Sequence, residues 1–120
     1  MKRDPALIDR LRMLLAQVTS LTANGTIHWE KQVHSAHRYA RWNDIILILG
    51  PAVPLEDHKT PRYLHVTPLH SEEWLEVRSD DTDLRNSLLA LVYAVEAATE
   101  QQSPTDPFAL TDELLRQLNK

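Results

Sequence analysis

The chain has 120 residues, of which 42% are apolar and 25% charged, with a net charge of -4 and no cysteine. One domain with a genuine core fits that length, while the lack of cysteine excludes disulfides, thiol nucleophiles and Cys-based zinc sites. Met1-Lys2-Arg3-Asp4-Pro5 leads into an amphipathic pattern rather than an unbroken apolar run, so the expectation is a soluble, untargeted, cytosolic protein with no membrane partner.

Asp4-Pro5 supplies a capping side chain and then a proline whose missing N–H costs nothing at the first helical position. Leu7, Leu11, Leu14, Leu15, Val18 and Leu21 form one apolar stripe that ends at Asn24-Gly25, which predicts an amphipathic helix. From Thr26 the period falls to two. Ile27, Trp29 and Val33 alternate with His28, Glu30, Gln32 and His34, as in a strand with one buried face. Arg38 to Trp42 reads as a second strand that turns at Asn43-Asp44 into Ile45-Ile46-Leu47-Ile48-Leu49. That run organises the rest. It is short, rich in β-branched residues and stopped by Gly50-Pro51, and its apolar residues on both alternations predict a strand covered on both faces.

Gly50 to Pro61 carries three prolines and reads as the longest loop. Tyr63, Leu64 and Val66, then Trp74, Leu75 and Val77, flank a turn at Pro68-Leu69-His70-Ser71 and predict a hairpin. Ser79-Asp80-Asp81-Thr82-Asp83 places capping side chains and acids before a helix striped by Leu84, Leu88, Leu91, Val92 and Val95, running to about Glu100. After a linker at Gln101 to Thr105, Asp106-Pro107 repeats the first start signal and opens a short helix with Leu110, Leu114, Leu115 and Leu118. The expected architecture is a single two-layer α+β domain spanning 1–120: an N-terminal helix, an antiparallel meander of four or five strands, then two C-terminal helices. Each helix has one apolar stripe to bury, so all three are expected on one face of the sheet.

Where the first helix meets the first strand, Thr22-Ala23-Asn24-Gly25-Thr26-Ile27-His28-Trp29 resembles the Thr-x-x-Gly-x-Ile-x-Trp pattern of small uncharacterised bacterial and phage-associated proteins. Those proteins are similar in layout as well, and the resemblance implies no activity. Physically, Gly25 suits the left-handed conformation that stops a helix, and Trp29 is an anchor that fixes the strand against it.

Charge is unevenly distributed. Residues 1–24 carry four bases and two acids, 25–50 three and two, 51–78 three and five, and 79–120 three and eight, so the segments run from +2 and +1 to -2 and -5. Such a split is either a solvated helical surface or a basic face and an acidic face that choose their partners. The basic, aromatic stretch His34 to Trp42 contains no acid. His37, Arg38, Tyr39, Arg41 and Trp42 are candidate nucleic-acid-binding residues, since arginines pair phosphates and rings stack bases. Against this stand the acidic whole and the alternative of an edge hairpin guarded by charge.

His34-x-x-His37 with His65-x4-His70 offers four nitrogens, but positions three apart on a strand point to opposite faces, so no metal or other cofactor is expected. The two glycines cannot form a phosphate loop, and no nucleophile elbow or metalloprotease helix is present. Glu72, Glu73 and Glu76 near His70 are placed as exposed turn carboxylates rather than acid–base catalysts. The functional expectation is a noncatalytic protein that binds another protein, as a homodimer or an accessory or immunity-type partner, with Leu110, Leu114, Leu115 and Leu118 as the interface. No small-molecule substrate is indicated, and nucleic-acid binding through the 34–42 segment is the alternative.

Overall fold

A computed structural model describes residues 4–33, 35–51, 61–103 and 106–119. Helix α1 spans Pro5–Ala23, and the strands are β1 (Trp29–Lys31), β2 (Arg38–Trp42), β3 (Ile45–Gly50), β4 (Tyr63–Pro68) and β5 (Leu75–Arg78). Helices α2 (Arg85–Thr99) and α3 (Pro107–Leu118) follow. The five strands pair in chain order, each antiparallel to the next, so β3 is central with two strands on either side. This is the expected α+β meander. No helix among the described residues is long and apolar enough to cross a membrane.

The ends of α1 follow from local chemistry. The Asp4 carboxylate accepts from the Ala6 N–H at 2.8 Å, and Pro5 occupies the first turn. Asn24 ends the helix and Gly25 takes φ +82°, where a side chain would be strained. Asn43 and Asp44 both adopt left-handed φ, 47° and 60°, which gives a two-residue turn whose twist suits the β2–β3 hairpin.

The pleat then sorts the side chains. Trp29, Ala40, Leu47, Leu49, Leu64, Val66 and Val77 face the helices and are buried with Leu11, Leu15 and Val18 of α1 and Leu88, Leu91, Val92 and Val95 of α2. Beneath α1, Trp29 is locked in place: its indole N–H donates to Thr22 Oγ1 at 2.8 Å, and that hydroxyl donates to the Val18 carbonyl at 2.7 Å. A buried indole thus keeps its hydrogen bond. The outer edge of β1 is closed by Gln102, whose side-chain amide donates to the Trp29 carbonyl and accepts from the Lys31 N–H, both at 2.9 Å. One side chain so replaces part of a missing neighbour strand.

Three expectations need correction. Ile46 and Ile48 lie on the sheet face away from the helices and are only half-buried, so β3 is not sandwiched between two layers. An apolar run on both alternations marks a central strand here, not a doubly covered one. The acids and hydroxyls at 79–83 do not cap α2: its N-cap is Leu84 without a side-chain bond, and the Asp81 carboxylate instead accepts from the Asp83 N–H in the preceding turn. Finally, α3 does not join the layer formed by α1 and α2, because none of its described side chains belongs to the buried core. The Cα radius of gyration, 16.1 Å, accordingly exceeds the ~14 Å of a compact chain of this length. His34 and most of the Gly50–Pro61 loop lie outside the described residues.

Candidate interaction surfaces

Two surfaces can carry function, and β2 decides what belongs to each. Alternate residues of a strand point to opposite faces, so the basic aromatic segment is divided. Arg38 and Trp42 face the helices; Tyr39 and Arg41 face away, as does His37. Arg38 is only 8% exposed, its Nε donating to Thr99 Oγ1 at 3.3 Å and its Nη1 to the His37 carbonyl at 3.1 Å. Burial pushes its guanidinium below its ordinary pKa, and the nearby Glu96 carboxylate works against that shift. Arg38 is thus a buried cation bonded to Thr99 and the His37 carbonyl. The five residues singled out from the sequence are therefore not one surface.

The face away from the helices brings together a different set. Across the register, Tyr39 pairs with Ile48, Ile48 with His65, and His65 with Glu76; in the next row Gly50 pairs with Tyr63 and Tyr63 with Arg78. Five rings form a continuous series here. Centroids are 6.4 Å apart for Tyr39 and His37, 5.7 Å for His37 and Tyr63, 4.7 Å for Tyr63 and His65, and 5.0 Å for His65 and Trp74. His37 Nε2 meets Tyr63 Oη at 2.5 Å, and both rings lie over Gly50, where a Cβ would stand 2.7 Å from His37 Nε2 and 2.9 Å from Tyr63 Cζ. Glycine ends β3 because these rings need its space. His65 Nε2 is 2.9 Å from Glu76 Oε1, and the Arg78 guanidinium pairs with Asp80 at 3.2 Å. That hydrogen bond holds the Asp80 carboxyl below the usual carboxylate range and raises Arg78. Composition placed the aromatics of β2 in the sequence reading, but only the β3–β4–β5 register shows that Tyr63, His65 and Trp74 complete the row.

The second surface is apolar. Met13, Leu14 and Leu21 of α1, with Ile27, Trp42 and Ile45, line a groove of about 300 Å³ that opens to solvent, and Arg10 and Gln17 supply its polar rim. Trp42 thus belongs to this groove, not to the ring series. Leu110, Leu114, Leu115 and Leu118 of α3 are 53%, 50%, 53% and 80% exposed, and Phe108 is 82% exposed. At 100° per residue these five side chains fall on one arc of about 160°. Asp106 caps the helix by accepting from the Phe108 and Ala109 N–H groups, and Arg116 pairs with Glu113 on the opposite, polar face. Phe108 is the member of this patch that the leucine spacing alone left out; its position one residue after Asp106-Pro107 was the available signal.

Among the described residues, no three His, Cys, Asp or Glu side chains are grouped to hold a metal ion. His70, Glu72 and Glu73 are exposed at the β4–β5 turn. No protein-family model matches the chain, and no curated protein or solved structure is significantly similar to it. The likeness of Thr22 to Trp29 to phage-associated proteins therefore assigns no family.

Proposed function

We propose that this is a noncatalytic protein that acts by binding protein, with α3 as the contact element and self-association as its first expression. The observation that supports it is the uncovered apolar face of α3, from Phe108 to Leu118. A 12-residue helix is marginal by itself in water and is normally held by packing of its apolar face. Five large apolar side chains on one unburied face mark an interaction site, whereas single exposed leucines would not. The experiment is the mass in solution of the full chain and of a chain lacking residues 106–120. A dimer lost on truncation supports the reading, and a monomer at every concentration removes it.

A second reading, binding of single-stranded nucleic acid, draws on the ring series of the open sheet face with Arg41 beside it. Rings in a row stack bases, and an exposed arginine meets phosphate. Glu30 and Glu76 on the same face, and the net charge of -4, oppose a polyanion. Protein binding is accordingly the main reading. Salt-sensitive binding of a short oligonucleotide, lost in Tyr39→Ala and Arg41→Ala, would favour the second, and no binding at low salt would remove it.

A further inference from the structure

We infer that the groove between α1 and the β2–β3 hairpin is a binding site for a small amphipathic monocarboxylate; the inference is independent of α3. The groove follows from how α1 is held. That helix packs chiefly against α2 and is tied to the sheet at its C-terminal end, where Thr22 bonds the Trp29 indole. A wedge therefore stays open above β2, β3 and β4. Its floor is the core itself, since Ile27, Leu47 and Val66 belong to the buried cluster and still line the groove. Met13, Leu14 and Leu21 form one wall, and Trp42 and Ile45 the other. Small-molecule sites are built in this way, from apolar walls with a few placed polar groups.

The polar groups select the charge. Arg10, Gln17 and Trp42 are the lining residues with nitrogen or oxygen in their side chains. Arg10, Leu14, Gln17 and Leu21 recur at helical spacing, which puts the cation and the amide in one row on α1, about 10 Å apart along its axis. None of the three polar side chains makes a hydrogen bond or ion pair with another described residue. Asp9, the acid next to Arg10, pairs with Arg12 instead at 3.7 Å, and no carboxylate lines the groove. A guanidinium and an indole offer donors only, and the Gln17 amide adds two more. Such a set completes its hydrogen bonds on an anionic acceptor, not on a cation. Donors thus name the head group, and the apolar floor names the body.

Size limits the rest. A volume of about 300 Å³ lies at the lower bound of ligand sites. At the ~30 Å³ that one water takes up in the liquid, it holds about ten non-hydrogen atoms. That is a medium-length fatty acid or a small aryl carboxylate. It is far too little for a helix with its row of anchors.

The probes are octanoate, octanol and octylamine, which share a body and differ in head group, with 2-naphthoate as the aromatic carboxylate. Each is titrated into the full-length chain and followed by calorimetry. The inference predicts saturable binding of one octanoate or one 2-naphthoate per chain, whichever body fits, with octylamine bound at least about tenfold more weakly. Arg10→Gln should weaken the carboxylate about fivefold and leave octanol unchanged. Met13 is 66% exposed, so Met13→Glu should keep the fold, checked by circular dichroism, and abolish carboxylate binding by placing a like charge in the groove. No saturable binding of either carboxylate, equal affinity for octylamine, or carboxylate binding that either variant leaves unchanged would overturn the inference. So would an affinity that falls as the chain is concentrated, which would give the groove to a second copy. Self-association through α3 keeps its own test, because a monomer can bind octanoate and a dimer can fail to.

Discussion

Arg38 donates through Nε to Thr99 Oγ1 at 3.3 Å beneath the helices, while its neighbour Tyr39 stands on the opposite face of the sheet. That single contact decides which residues of the basic segment are available to a partner. Arg38→Ala should lower stability by about 1–3 kcal/mol, because the aliphatic stem is buried and the Thr99 hydroxyl and His37 carbonyl lose a donor. Arg41→Ala, at an exposed position, should stay within ~0.5 kcal/mol. Urea unfolding of the two variants separates these outcomes.

The join between α1 and β1 makes a second prediction. Thr22→Val removes the hydroxyl that accepts from Trp29 Nε1 and keeps nearly the same volume. The buried indole N–H is then left unpaired, at a cost of about 1–3 kcal/mol. Thermal unfolding followed by tryptophan fluorescence should show the loss; an unchanged midpoint would mean that Trp29 holds α1 by packing alone.

Gly50→Ala tests the ring series. A methyl group at this position meets His37 and Tyr63. The His37 ring is half-buried at the surface and can swing away, so the expected stability loss is only ~1 kcal/mol. The specific outcome is separation of the two rings, read as a changed His37 ring signal in NMR spectra that Tyr63→Phe should reproduce in part.

Acid sensitivity follows from Arg78 and Asp80. The folded pKa of Asp80 lies below its unfolded value because Arg78 donates to the carboxylate. Its contribution is therefore fully present above the unfolded carboxylate pKa and is lost as pH falls through the lower folded one. Both groups are solvent-exposed and the effect is small. Asp80→Asn should flatten the urea midpoint in that acid window and leave the slope near neutrality unchanged.

Much of the fold was legible in the residues themselves. Asp4-Pro5 and Asp106-Pro107 start helices, Asn24-Gly25 stops one, Asn43-Asp44 turns a hairpin, and the order helix, meander, helix, helix follows from the change of period. What the residues could not show is how much core there is to share. An apolar stripe states that a helix has a face to bury; α1 and α2 cover the inner side of a five-stranded sheet by themselves, so the stripe of α3 stays outward. The site was less legible for a related reason. Composition picks out His37 to Trp42 as a cluster, but the two-residue period of a strand sends Arg38 and Trp42 to one face and Tyr39 and Arg41 to the other. The ring series depends on the meeting of His37 and Tyr63, 26 residues apart in sequence, and no local pattern contains that contact.

The most direct measurement is light scattering of the full-length chain over a thousandfold dilution, first alone and then with a short single-stranded oligonucleotide at low salt. Self-association through α3 predicts a mass of twice 13.8 kDa at the high end, falling towards 13.8 kDa on dilution and indifferent to the oligonucleotide. A mass of 13.8 kDa throughout, rising only when the oligonucleotide is added, would contradict it and move the function to the open face of the sheet.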